Sequence, residues 1–252
     1  MAMPFDLASV RSALPGRRIE WFPRIDSTMR VAAQLARDGC PSGTIVGATE
    51  QTLGVGRHGH TWHSAPGAGL YVSLVLRWPL PSETLPLVML SLGIAGHRAI
   101  AQTAGLRPDL RWPNDVLLNG KKCAGVLARF ENEAVIAGIG INVTHESFPA
   151  EIAELATSIR LAGASVRHED VLVALARAVD DLGGALMERG SGRILSEFAR
   201  LSSFANGRRV CVDQDGVSLE GTTCGLDASG FLRLRQDNGT VHTILAGGVR
   251  PI

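Results

Sequence analysis

One tyrosine, no Cys-x-x-Cys pair and almost no surplus charge of either sign set the first limits on this 252-residue chain. Twenty-five lysines and arginines oppose 24 aspartates and glutamates, so the net charge of +1 does not call for nucleic acid or an anionic membrane. Cys40, Cys123, Cys211 and Cys224 are too scattered for a zinc ribbon or a thiol-redox motif, and are expected to be reduced and mostly buried. The N-terminal MAMPFDLASVRSALPGRR has no unbroken apolar core of a secretory signal. No apolar run is expected to reach membrane-spanning length, and the expected location is the cytoplasm. Repeats and low-complexity tracts are absent. What remains is a 45% hydrophobic chain, enough for one large domain or a medium one plus a small one.

The apolar spacing predicts a strand in RRIEWFPRI. A helix follows from Asp26-Ser27-Thr28 to about Asp38, capped by Ser27 or Asp26, with Val31 and Leu35 on its inner face beside Ala32 and Ala36. GTIVGATE and GLYVSLVLRW read as buried strands, and an alanine- and leucine-rich helix spans about Thr84 to Gly105. LRWPNDVLLNGKKCAGVLARFENEAVIAGIGINV reads as a meander of strands, and a helical region broken near Gly190 and Gly192 runs from His168 to Leu201. From Arg208 onward, Asp215-Gly216, Ser229-Gly230 and Asn238-Gly239 separate short Val/Leu/Thr runs, the pattern of a small β-barrel. The boundary falls near Asn206-Gly207, giving units 1–205 and 206–252.

Gly54-Val-Gly-Arg-His-Gly59 satisfies G-x-G-x-x-G. A dinucleotide turn of that pattern must open a helix, whose N-terminus receives the pyrophosphate. Here HTWHSAPGAG follows, and Pro66, Gly67 and Gly69 oppose a helix, so the Rossmann reading fails. Two readings stay open: a flexible surface loop, or an anion nest of backbone N–H groups with Arg57 adding a charged fork. His58, His60 and His63 have metal-like spacing, but no fixed element orients all three, which favours solvated or anion-facing rings.

In RWPNDVLLNGKKCAGVL, Asn119-Gly120 is a two-residue hairpin turn. Leu118 then opposes Lys121, Leu117 opposes Lys122, and Asp115 opposes Ala124. Asp115, Leu117, Lys122 and Ala124 share one face; Lys121 points the other way. Asp115 and Lys122 are diagonal neighbours within reach of a long side chain. The pair is either an ordinary surface contact or a held point charge.

Four segments in order resemble the biotin–protein ligases: Ile25-Asp-Ser-Thr28; Gln51 to Trp62 with Leu70-Tyr71; Trp112-Pro-Asn-Asp115 with Lys122-Cys-Ala-Gly125; and Gly138-Ile-Gly-Ile-Asn142. The resemblance implies an α+β fold of class II synthetase-like type, with a mixed, largely antiparallel sheet and a small C-terminal SH3-like barrel. It implies an enzyme that uses ATP and Mg2+ to convert biotin to biotinyl-5′-AMP. The biotinyl group then passes to a lysine of a biotin carboxyl carrier protein. Lys122 and Arg57 are the implied catalytic residues. Ser27, Thr28, Gln51, Gly54, Val55, Arg57 and Lys122 would hold biotin. Arg57, His58, His60, Trp62, Asn114, Asp115, Asn142 and Arg250 would hold the nucleotide, with Trp62 near adenine. Asp115 is either a lysine-orienting or a metal-side carboxylate.

The chain departs from the family pattern at several places. Val55, His58 and His60 replace loop arginines, Arg111 replaces the lysine before W-P-N-D, and Met29 replaces asparagine. Fewer loop cations imply looser retention of the adenylate. The short segment before Ile25 leads one to expect no DNA-binding domain. Lipoate or octanoate ligases or transferases of the same fold, and a non-catalytic biotin-binding module, are the alternatives.

Overall fold

A computed structural model of the chain describes residues 5–214 and 217–252, with every side chain among them except that of His58. The Asp215-Gly216 turn lies outside the described residues. Seven strands build the larger sheet: β1 Ile19–Phe22, β2 Thr44–Ala48, β3 Gly69–Leu76, β4 Asp109–Arg111, β5 Asp115–Leu118, β6 Lys121–Glu131 and β7 Ala134–Asn142. Their order is β1-β2-β3-β7-β6-β5-β4, and only β1 and β2 run parallel, so the sheet is mixed and largely antiparallel as expected.

Alternation sends the two faces of this sheet into different surroundings. Ile45, Val72, Leu74, Val126 and Ile139 join the main core with α1 (Leu7–Ala13), α3 (Leu85–Ala104), α4 (His168–Arg189) and α5 (Gly192–Leu201). Val46, Val75 and Ile136 face the shorter α2 (Thr28–Arg37) instead. The helix boundaries follow local chemistry. Ser27 takes the N-cap position of α2, and α3 has a proline in its first turn and left-handed Gly105 at its end. In α4, Glu169 and Asp170 occupy the first turn and Arg189 the last, matching the helix dipole.

Two expectations need correction. The inner face of α2 is Met29, Ala32, Ala33 and Ala36, while Val31 and Leu35 only flank it. The stretch Ser82–Ala104 is long and apolar enough, at a mean hydropathy of 1.3 in its best window, to cross a membrane by length and composition. Its serine, threonine and glycine residues hid that in the sequence. In the fold Leu87, Val88, Leu90, Leu92, Ile94 and Ile100 are buried in the main core.

The smaller sheet has five antiparallel strands in the order β11-β10-β9-β8-β12: β8 Asn206–Gln214, β9 Val217–Leu226, β10 Leu232–Arg235, β11 Val241–Ile244 and β12 Val249–Pro251. It meets the larger unit where the Trp112 indole N–H donates to the Gly230 carbonyl at 3.0 Å. Gly230, at φ +90°, lies against Leu87 and Leu90 of α3.

Adjacent glycines of α4 provide opposite tests of packing. A Cβ on Gly183 would sit 2.3 Å from the Trp78 ring, whereas one on Gly184 would meet nothing within 4 Å. Gly184→Ala is expected to stabilise the protein by about 0.5–1 kcal/mol through helix propensity. Gly183→Ala is expected to destabilise it by about 1–3 kcal/mol through overpacking. Urea denaturation midpoints moving in opposite directions would confirm both.

Candidate active site

Two glycines that face each other across β6 and β7 shape the site. Gly125 pairs with Gly140, and a Cβ on either would collide with the Trp62 indole, at 2.9 Å and 2.4 Å. The missing side chains leave a slot on the sheet face opposite α3 and α4, and the indole fills it. Two residues back along β7, Gly138 receives the Met29 side chain in the same way, its Cβ position lying 2.7 Å from the thioether sulfur.

Trp62 is delivered by the glycine-rich segment, which folds into a narrow flap. Trp62 N–H donates to Gly54 O at 2.9 Å, Val55 bridges Thr61, and Gly56 N–H donates to His60 O at 2.7 Å. Arg57–Gly59 forms one 3₁₀ turn at the tip, with Gly59 at φ +78°. No α-helix follows, in keeping with the failure of the Rossmann reading. The flap spends the Gly56 and His60 N–H groups on itself, which limits the anion-nest reading. The Arg57 guanidinium reaches back, donating to Asn114 Oδ1 at 3.3 Å and to Gly247 O of the small unit at 3.4 Å. Burial lowers its pKa from the ordinary value, and the charge of Asp115 opposes that shift.

The β5–β6 hairpin presents Lys122. Asn119 and Gly120 adopt φ 52° and 77°, as the two-residue turn requires. Leu118 opposes Lys121 and Leu117 opposes Lys122, as expected. Asp115, however, pairs with Gly125 rather than Ala124, because the register shifts by one residue between Val116 and Leu117. The extra residue is a bulge. Ala124 therefore turns into the main core, and Lys122 shares its face with Gly125, whose Cβ position lies 3.1 Å from Nζ. Lys122 Nζ sits 2.6 Å from Asp115 Oδ1 and 5.4 Å from the Trp62 ring centroid. Lys121 points elsewhere, 3.3 Å from the exposed Glu154.

A cavity open to solvent joins these groups. Ser27, Thr28, Gln51, Val55, Arg57, Trp62, Asn114 and Lys122 line it, as does Met29. At its α2 end Thr28 donates through its backbone N–H and its hydroxyl to Gln51 Oε1 at 2.8 and 3.1 Å, and Thr28 Oγ1 meets Ser73 Oγ at 2.8 Å. Ser27 is 1% exposed, and its hydroxyl has no partner among the described residues. A buried hydroxyl at a cavity wall with no internal partner is suited to a ligand's polar atom.

Other expected site residues lie apart. Gly54 is buried at the flap base, and His60 is exposed outside the cavity. Asn142, at the end of the interior strand β7, is 4% exposed and donates to Thr157 O at 3.0 Å. Arg250 pairs with Asp213 at 2.5 Å in the small sheet. His63 is half-buried, with its ring 5.9 Å from that of His145 and 6.3 Å from that of Phe148. The His58 side chain lies outside the described residues, and no cluster of three metal-ligating side chains occurs among those described. Sequence reasoning assigned no role to Gly125, Gly138 and Gly140, although a strand period of two puts the last two on one face.

An open sheet face beneath a glycine-rich flap, with a lysine–aspartate pair at one end and hydroxyls at the other, defines a ligand-binding α+β protein. Comparison with known proteins narrows that class. The biotin/lipoate A/B protein ligase family matches residues 21–145. A biotin–[acetyl-CoA-carboxylase] ligase from Mycobacterium tuberculosis is 30% identical over 258 residues, 98% of this chain and 95% of that one. A bifunctional ligase/repressor BirA from Bacillus spizizenii is 39% identical over 157 residues, 60% of this chain and 48% of its own. The chain spans about half the length of the Bacillus relatives it matches, 48% and 53%. The fold superimposes on a biotin protein ligase from Aquifex aeolicus in complex with biotin and ATP with a TM-score of 0.82. The identity there is 28%, covering 93% of this chain and 99% of that one. The chain belongs to the biotin/lipoate A/B protein ligase family.

Gly140→Ala is expected to expel the Trp62 indole from its slot. Acrylamide quenching of tryptophan emission should rise, while Gly192→Ala on α5, where a Cβ would meet nothing within 4 Å, should leave it unchanged.

Proposed function

We propose that this chain is an ATP-dependent biotin–protein ligase that activates biotin as biotinyl-5′-AMP and transfers it to a lysine of a biotin carboxyl carrier protein. The observation that carries the reading is the polarity of one cavity, with the Lys122 ammonium and the Arg57 guanidinium at one end and the unpartnered Ser27 hydroxyl at the other. A compact ureido ring joined by an apolar chain to a carboxylate has that polarity. The names of the Mycobacterium tuberculosis and Paracoccus denitrificans relatives, both biotin–[acetyl-CoA-carboxylase] ligases, support a carboxylase carrier subunit as acceptor.

In this reading Ser27, Thr28 and Gln51 hold the ureido end, and the Gly54–Arg57 flap covers the acid. The carboxylate oxygen forms a bond to the α-phosphorus of ATP as the bond to the departing pyrophosphate breaks. Negative charge gathers where Lys122 and Arg57 converge, and preorganised cations in a partly dry site stabilise it. The carrier's lysine amine then attacks the acyl carbon and AMP leaves. Asn114 holds Arg57 at that junction, and Trp62 walls it beside Lys122. We assign catalysis to residues 1–205 and a supporting role to 206–252, which supplies the Gly247 carbonyl.

Asp115 does not fit a metal ligand. Its Oδ1 faces Lys122 at 2.6 Å, and its Oδ2 accepts from Arg111 at 2.7 Å. It orients the lysine instead, and Mg2+ arrives with ATP as part of the substrate.

Pyrophosphate–ATP exchange tests the reading. Biotin should stimulate exchange, and lipoate and octanoate should not; stimulation by lipoate alone would move the assignment to the lipoate branch. Lys122→Ala is expected to lower the rate by about 100-fold or more, as removal of one transition-state donor does. Lys121→Ala, whose pair is exposed, is expected to change it by less than about twofold.

A further inference from the structure

We propose that Arg111 is a positioning residue whose charge, acting through Asp115, keeps Lys122 free to receive an anion. The inference rests on the biotin-ligase reading above and adds a residue to that site. Arg111 and Asp115 stand directly opposite each other in the β4–β5 pair. The guanidinium donates twice to one carboxylate oxygen, Nε at 3.2 Å and Nη2 at 2.7 Å to Oδ2, leaving Oδ1 to Lys122 at 2.6 Å. The connection between the two residues is rigid. Asn114 Nδ2 donates to Val126 O at 2.9 Å, Val126 N–H returns to Asn114 O at 3.0 Å, and the Trp112 indole is tied to Gly230. The carboxylate is therefore fixed, with one oxygen assigned to each cation.

Charge counting shows what the arrangement does. Asp115 and Lys122 alone form a neutral pair, with no net attraction for an incoming carboxylate or phosphate. A lysine that left Asp115 for a ligand would also strand a half-buried carboxylate. With Arg111 the trio carries a net charge of +1, and Asp115 stays compensated when Lys122 turns to the ligand. Arg57, the remaining cation near Asp115, is held by Asn114 and Gly247 and does not take that place. Arg111 itself does not line the cavity, so its influence passes through the carboxylate.

The test is calorimetric binding of biotin and of biotinol, its uncharged alcohol analogue, to the full chain. Arg111→Gln should weaken biotin by about tenfold or more and biotinol by less than about threefold, because only the acid needs the trio's charge. Arg111→Lys, which keeps a cation opposite Asp115, should stay within about threefold of the parent for both ligands. Equal weakening of the two ligands by Arg111→Gln, no weakening at all, or a loss of biotin alone in Arg111→Lys as deep as in Arg111→Gln overturns the proposal. If Arg111→Gln does not melt cooperatively, Arg111→Lys decides alone: biotin binding preserved supports the proposal, and biotin lost with biotinol kept overturns it. A parent chain that binds neither ligand overturns the biotin reading itself, and this inference with it, whereas a binding parent with an indifferent Arg111 overturns only the role of Arg111.

Discussion

One extra residue in β6 decides where the positive charge of the site points. In an unbroken strand Lys122 and Gly125, three positions apart, would face opposite sides of the sheet. The bulge beside Val116 and Leu117 brings them to the same side and sends Cys123 and Ala124 into the core together. Both bulge neighbours are anchored. Cys123 is fully buried, and burial pushes its thiol up to about 12, so it serves as a packing residue. The Lys122 backbone is held by the segment beside it, donating to Leu155 O at 2.8 Å and accepting from Thr157 N–H at 2.9 Å. Such anchoring keeps the ammonium near one place, and the entropy cost of ordering a long side chain falls on folding and not on binding.

The cavity exists because the same sheet face lacks side chains where it needs space. Gly125, Gly138 and Gly140 form a bare patch in the middle of a sheet otherwise rich in Val, Ile and Ala. Glycine weakens a strand interior. Here the loss is offset on the other face, where Val126, Ile139 and Ile141 are buried under α3 and α4. The two-sided sheet thus separates stability from binding. One face is covered by long helices, and the other only by the ten-residue α2 and the flap.

Much of this was legible in the sequence, and the failures share a cause. From β1 to α5 the order of strands and helices followed from apolar spacing, although α1 was not foreseen, and the Asn119-Gly120 turn was set by its local chemistry. Lys122 and Asp115 were paired correctly even though the assumed register was wrong, because a lysine side chain spans either geometry. The bulge itself had no local signal: Cys123 and Ala124 are small enough to suit either face, and only the packing of the whole sheet selects the core. Asn132 and Glu133, at φ 48° and 57°, form a second tight turn that carries no glycine, so the usual marker was missing. Arg111 could be read as a departure from the family pattern, but its partner could be seen only once β4 and β5 were placed side by side. The ring neighbours of His63 had no local signal, because His145 and Phe148 come from a segment more than 80 residues away.

The small sheet is part of the site's electrostatics and not an appendage to it. A buried guanidinium is costly unless acceptors meet its N–H groups. For Arg57 those acceptors come from two stretches distant from the flap that carries it: the turn after β4 through Asn114, and the tail through Gly247. The tail also accepts the Trp112 N–H, which is buried at the start of that same turn. Removing residues 206–252 would therefore leave a buried indole N–H unpaired at one end of the Trp112–Asn114 turn and loosen the arginine at the other. Asp115, which orients Lys122, directly follows this turn. The constraint on the ammonium thus runs from the bulge in β6, through Asp115 and the turn before it, to two carbonyls in the loops of the C-terminal sheet.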